Sequence, residues 1–172
     1  MVYRLTEMEN VIKKSMSRGI TPQVMVIINP GKPTGSILSF DTLANILKIA
    51  NKYGIIIIAG EVYQYNIIKA DVQFYSMKKV FRYLQKSTSS VGEYENLQLI
   101  SLHSASKGVL GECGQRGGYM EVISLRKEVK QELFKLFSIS LCACTSGQVL
   151  VDLMVRRPQP GEESYESDLA ER

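Results

Sequence analysis

The stretch "VMVIINPGKPTG", Val24 to Gly35, decides the fold. Its first half, Val24 to Ile28, is continuously apolar and rich in β-branched residues, the pattern of a strand covered on both faces. Its second half is a Pro/Gly turn that ends the strand. Beyond the turn, Ser39 offers an N-cap to "FDTLANILKIANKY", where Leu43, Ile46, Leu47 and Ala50 form one apolar stripe and Gly54 stops the helix. "IIIIA" at 55–59 is a second buried strand. Strand, helix, strand makes a right-handed βαβ crossover in a parallel sheet.

Outward from this unit the pattern continues. Glu7 to Ser17 reads as a helix closed at Gly19, and Phe74 to Lys86 as another, followed by the polar link "STSSVGEYEN". "LQLISLHS" is a third strand and "GGYMEVISL" a fourth. "RKEVKQELFKLFSISL" is a helix with Val129, Leu133, Leu136 and Phe137 facing inward. From Arg156 the chain turns polar and Pro/Gly-bearing, which divides it into a domain over 1–155 and a linker or tail over 156–172. The class is α/β.

With 172 residues, 45% hydrophobic and 22% charged, the chain suits one soluble domain or a large part of one. Its apolar runs are too short to span a bilayer, so no membrane partner is expected. The N-terminus "MVYRLTEMEN" has charges where a signal peptide needs an apolar core, which points to an intracellular protein. Cys113, Cys142 and Cys144 are odd in number and read as free thiols used in packing. Cys142 and Cys144 lack a partner pair, and His103 is distant in sequence, so no metal site is expected. The net charge of +4 is scattered. Lys78, Lys79, Arg82 and Lys86 read as the solvated face of a helix, and without interleaved aromatics they do not suggest nucleic acid.

Three strand ends lead into "NPGKPTG", "GEVYQ" and "HSASKG". Ligands of open α/β sheets bind outside the carboxyl ends of the strands, so these loops are expected to converge. They and the segment after them carry Tyr63, Ser104, Ser106, Lys107 and Arg116. Taken alone, Lys107 reads as a surface lysine and Arg116 as half of a weak surface pair. Together, a lysine amine, small hydroxyls and a planar guanidinium suit a phosphorylated aldehyde.

The motifs "NPGKPTG", "EVYQ", "SLHSASKG" and "GECGQRGGYMEV", with "SGQVLVDLMV" and "PQPGEESYE" beyond them, resemble the alanine aminotransferase branch of the class I pyridoxal-phosphate-dependent aminotransferases. The resemblance runs from Ile20 to Glu166. It implies a three-layer αβα fold with a mostly parallel sheet, here an incomplete large domain of fold type I. It also implies pyridoxal 5′-phosphate as cofactor, with Lys107 as the Schiff-base lysine and proton shuttle. Ser104 and Arg116 would hold the phosphate with Ser106 close by, and Tyr63 would bond the ring's 3′ oxygen.

Two cofactor positions depart from the family pattern. Where the family has an asparagine that bonds the 3′ oxygen, this chain has Lys32; where it has an aspartate that pairs with the ring nitrogen, this chain has Gly60. Val109 stands where an aromatic is usual. Lys32 can sit against the ring phenolate, compete as an off-line amine, or turn to solvent. Gly60 removes the ionic partner of the ring and weakens the electron sink.

The implied activity is transfer of an amino group between L-alanine and 2-oxoglutarate, giving pyruvate and L-glutamate. The expectation here is a degenerate fragment with little turnover. The alternative is a non-catalytic piece that pairs with a full-length relative; a homodimer is the other partner the family suggests. The compartment is cytoplasmic or mitochondrial. Strands apolar on both faces also predict several hundred Å² of apolar surface left open in a chain of this length.

Overall fold

The computed structural model describes residues 5–69, 71–87, 92–108, 110–156 and 158–170. Val109 and four residues of the polar link at 87–96 (residues 88–91) lie outside them. The described chain runs α1 (Leu5–Met16), β1 (Val24–Ile28), α2 (Phe40–Tyr53), β2 (Ile56–Gly60), α3 (Met77–Ser87), β3 (Leu99–Ser104), β4 (Gly118–Ile123), α4 (Lys127–Ser138), α5 (Thr145–Val155) and α6 (Tyr165–Ala170).

The strands form one sheet in the order β1-β2-β3-β4. β1 pairs parallel with β2, Val24 opposite Ile56, and β2 pairs parallel with β3, Ile57 opposite Leu99. β4 closes the sheet antiparallel to β3, with Leu99 opposite Ile123 and Ser104 opposite Gly118. The sheet is mostly parallel and flanked by helices, as the βαβ reading requires.

Helix α2 shows why the local reading works. Ser39 has extended backbone and its side chain accepts the N–H of Thr42, while Gly54 takes φ of 65° and donates its N–H to the carbonyls of Ala50 and Asn51. Between those caps, Leu43, Ile46, Leu47 and Ala50 are fully buried. They meet Ile27, Ile57, Ala59, Leu99 and Ile123 on the sheet, and Val80, Phe81 and Leu84 on α3. The cation-rich side of α3 stays outside, with Lys78 paired to Glu121 at 2.6 Å. α1 joins the same layer through Ile12, and Glu9 accepts from Lys52 Nζ and Tyr53 Oη, each at 2.7 Å.

Three expectations are corrected. β1 is covered on one face only: Ile27 is buried, but Val24, Val26 and Ile28 project from the other face and are 46–63% exposed. β1 is an edge strand, and among the described residues no helix lies over that face of it. The inward stripe of α4 fails as well. Val129 and Leu133 are half-buried, but Leu136 and Phe137 are exposed, because α4 follows the edge strand β4 with little sheet to cover it. The cysteines do not pack: Cys113, Cys142 and Cys144 are all exposed and free. Helices α5 and α6 were not read from the sequence; α5 is apolar nearly all round, and α6 is only six residues long.

Among the described residues no helix is long and apolar enough to cross a membrane, and no cluster of three or more His, Cys, Asp or Glu side chains could hold a metal ion.

Candidate active site

Because β1, β2 and β3 are parallel and in register, their carboxyl ends lie at one edge of the sheet. At the end of β3, Ser104 Oγ donates to the Gly117 carbonyl at 3.3 Å and accepts the Ser106 N–H at 3.1 Å. Arg116 Nη1 donates to Ser106 Oγ at 3.4 Å and to the Cys113 carbonyl at 3.0 Å. Ser104, Ser106 and Arg116 thus form one connected group. Two hydroxyls and a guanidinium gathered at strand ends make a cup suited to a phosphate dianion.

The arginine is held there by backbone packing. Arg116 has φ of 51°, a left-handed conformation uncommon outside glycine. Gly147, in the first turn of α5, lies directly over the carbonyls of Gln115 and Arg116; a Cβ at that position would come within 2.6 Å of both. Only glycine permits so close an approach.

Lys107 opens the turn after the cup and is half-buried, and its carbonyl accepts the Gly111 N–H at 3.4 Å. The next residue, Gly108, takes φ of 68°, and a Cβ there would meet the Val62 carbonyl at 3.4 Å. The lysine turn therefore rests on the segment that follows β2.

Tyr63 and Lys32 stand together. They line a cleft of 780 Å³, together with Pro33, Ile37, Ile67 and Lys69, and neither Lys107 nor the cup forms part of its wall. The loop from Asn29 to Ile37 folds back on itself, with Gly31 N–H bonded to the Ser36 carbonyl and Gly35 N–H to the Gly31 carbonyl. That fold brings Lys32 to the same cleft as Tyr63 and Ile67 in the segment after β2.

Gly60 ends β2 and presents no side chain. A Cβ there would stand 3.8 Å from Ile28 Cγ1 and 3.9 Å from the Ile27 carbonyl, ordinary contact distances, so the position has room for a side chain. The adjacent carboxylate cannot substitute for the missing one. Strand alternation sends Glu61 to the opposite face, where its carboxylate accepts the Met77 N–H at the start of α3 at 2.6 Å. There it is 7% exposed, and burial pushes its pKa up to about 7.

Sequence reasoning missed two residues here, Glu61 and Asn29. Asn29 is 2% exposed, and its Oδ1 accepts the Leu38 N–H at 3.0 Å, pinning the two ends of the loop that carries Lys32. The signal for both was a polar residue set directly against an apolar strand.

Pyridoxal 5′-phosphate can be tested against this geometry. The cup and the lysine beyond it fit its phosphate and its aldehyde. The ring end does not fit, because Gly60 offers no carboxylate and Lys32 puts a cation where a neutral amide is usual.

The family profile described as "Aminotransferase class I and II" matches residues 3–171. The chain belongs to the class I and II aminotransferases. Within that family it is 55% identical, over 96% of its length, to the inactive alanine aminotransferase of Saccharomyces cerevisiae, covering 32% of that protein. It is also 55% identical, over 96% of its length, to the mitochondrial alanine aminotransferase of the same yeast, covering 28%. The chain therefore spans about a third or less of the curated aminotransferases it matches. Among solved structures, a PLP-bound putative aminotransferase from Clostridium difficile 630 superposes with a TM-score of 0.65 at 20% identity, over 96% of this chain and 37% of that one. At that identity the likeness speaks for the aminotransferase fold alone.

Proposed function

We propose that this chain carries the phosphate and aldehyde end of an alanine aminotransferase site whose ring end is degenerate, so that transamination between L-alanine and 2-oxoglutarate proceeds weakly or not at all. The observation that carries the reading is the contrast at adjacent strand ends. Ser104 and Arg116 are linked through Ser106, which precedes Lys107, while Gly60 leaves the end of β2 without a carboxylate.

When bound, pyridoxal 5′-phosphate supplies an electron sink for the substrate's Cα, and the sink is strongest with a protonated ring nitrogen. In this chain the cup residues would hold the phosphate, and Lys107 would supply the amine that faces the aldehyde and would carry the Cα proton. Tyr63 would offer a hydroxyl to the 3′ oxygen. Nothing at Gly60 holds a proton on the ring. Removing one partner of a buried charge pair costs about 2–5 kcal/mol. If half of that falls on the barrier, turnover drops by about five- to seventyfold.

Equal identity to an inactive and a mitochondrial yeast relative leaves activity to the site residues. A second reading has its own support: Phe134, Leu136, Phe137, Ile139 and Leu141 are exposed along and just after α4. Such a surface suits a non-catalytic piece that pairs with a full-length relative, in the cytoplasm or the mitochondrion.

The test is titration with pyridoxal 5′-phosphate, borohydride reduction and mapping of the labelled lysine by mass spectrometry. Weak, reversible labelling of Lys107 is expected, and Gly60→Asp should tighten binding more than Lys32→Asn because it restores an ionic contact. Tight stoichiometric labelling of the unaltered chain, or the reverse ranking of the two variants, contradicts the reading. Labelling at Lys32 would identify it as a competing amine.

A further inference from the structure

His103 is the chain's only histidine, and none of the chemistry above uses it. It pairs with Tyr119 across β3 and β4, and the two rings stack with centroids 5.6 Å apart and planes 6° from parallel. Its Nδ1 accepts the backbone N–H of Ser104 at 2.9 Å. Its Nε2 is buried with no partner among the described residues. An imidazole nitrogen that accepts a hydrogen bond carries no proton, so the neutral ring holds its proton on Nε2. Ser104 is in turn the hub of the cup, accepting from Ser106 and donating to the Gly117 carbonyl.

We propose that His103 is a positioning residue of the anion cup: its Nδ1 fixes the Ser104 amide, and protonation of the ring breaks that bond and loosens Ser104 and Ser106. The inference rests on reading Ser104, Ser106 and Arg116 as a phosphate cup. The physical reason is direct. A protonated Nδ1 would set one N–H donor against another at a distance where a bond now stands.

Several groups surround the ring. Gln64 and Tyr65 from the segment after β2, and Met154 and Val155 from α5, share a small cavity with His103 and Tyr119. Glu61, one step beyond the Gly60–Leu102 pair, comes level with His103 across the sheet. Glu61, Glu121 and Tyr65 all act on the Tyr119 hydroxyl, and Lys78 from α3 pairs with Glu121. Burial disfavours the imidazolium and lowers the pKa of His103 below its ordinary value. The loosening therefore belongs to acid pH, below the usual histidine range.

A single histidine makes the tautomer directly readable by ¹⁵N-correlated NMR of the full chain. The Nε2–H form is expected at neutral pH, and an Nδ1–H form would overturn the proposal. Affinity for pyridoxal 5′-phosphate is then measured across pH for the wild type, His103→Asn and His103→Phe. Asparagine keeps an acceptor that takes up no proton, while phenylalanine keeps the stack without an acceptor. The cofactor phosphate's own ionisation near pH 6 is common to all three and cancels in the comparison. His103→Phe should bind about fivefold more weakly than the wild type at neutral pH, the effect of one lost hydrogen bond, and the gap should close in acid. His103→Asn should match the wild type at neutral pH and lack its extra loss in acid. If the wild type binds, Arg116→Ala abolishes binding, and both His103 variants follow the wild-type profile, this inference alone fails. If the wild type binds at no pH, the cup reading fails and the inference falls with it.

Discussion

Leu47 in α2 and Phe137 in α4 lie on the apolar stripes of two amphipathic helices, yet Leu47 is fully buried and Phe137 is 53% exposed. The difference lies in what surrounds each helix. α2 links two paired strands, so the crossover folds it back over both, and α3 packs beside it. α4 follows β4, an edge strand with nothing paired beyond it among the described residues. An amphipathic pattern states which side of a helix is apolar. Whether anything covers that side depends on where the topology delivers it.

The largest test of this contrast is a pair of truncations. Leu47→Ala removes a buried side chain and should cost about 2–5 kcal/mol of unfolding free energy. Phe137→Ala removes a larger side chain and should stay within about 0.5 kcal/mol. Urea denaturation of both variants measures the gap. A large loss in Phe137→Ala would break the contrast, because it would mean that α4 is covered in solution.

The packed layer also holds an ionisable group that the loose part lacks. Glu61 is buried with its pKa raised to about 7 from the ordinary 4.5. A carboxyl with a raised folded-state pKa contributes its full stability below the unfolded value and loses it as pH rises through the folded one. Relative to Glu61→Gln, the wild type should therefore weaken between about pH 4.5 and pH 7, by up to about 3 kcal/mol. Melting temperatures of the two proteins across that range provide the check. A constant difference would show that Glu61 gains water or a counter-charge in the folded state.

Much of this architecture was legible in the sequence, and the reasons are local. β1 and α2 were read to the residue, because an apolar run ending in Asn-Pro-Gly and a helix between Ser39 and Gly54 carry their own start and stop signals. The contacts among Ser104, Ser106 and Arg116 follow from a motif compressed into a short stretch. What was not legible depended on distant partners. The open face of β1 and the exposed stripe of α4 are set by neighbouring elements, and apolar composition looks the same with or without them. Helix α5 was missed because it is apolar nearly all round, which leaves no stripe to detect. That Lys32 and Tyr63 share one cleft arises from how a loop folds, which spacing along the chain does not encode. Asn29 and Glu61 were visible as polar residues at strand ends, but their bonds to Leu38 and Met77 were not.

The loose part is anchored to the packed part through Gly147, which offers a sharper test. Glycine to alanine inside a helix normally stabilises a protein by about 0.4–1 kcal/mol. Here the added Cβ would press on two backbone carbonyls that cannot swing aside. Gly147→Ala should instead destabilise by about 1–3 kcal/mol, as overpacking does. It should also weaken binding of pyridoxal 5′-phosphate, because the carbonyls it displaces belong to Gln115 and Arg116. Stabilisation with unchanged binding would show that α5 does not seat the arginine.

The smallest expected effect concerns the caps. α2 has a side-chain N-cap at Ser39, whereas Arg126 at the start of α4 makes no capping bond and places a cation at the positive end of the helix. Ser39→Ala should cost about 1 kcal/mol of global stability, because α2 belongs to the cooperative core. The converse change, Arg126→Asp, exploits backbone that is already extended at φ −59° and ψ 146°, as a capping residue requires. Its carboxylate can accept the free N–H groups of Glu128 and Val129, for a local gain of about 1 kcal/mol. Since α4 is poorly covered, that gain should slow amide hydrogen exchange within α4 about fivefold and leave the global unfolding midpoint unchanged. A shift of the global midpoint would mean that α4 unfolds together with the packed layer, and the two regions would then be one cooperative unit.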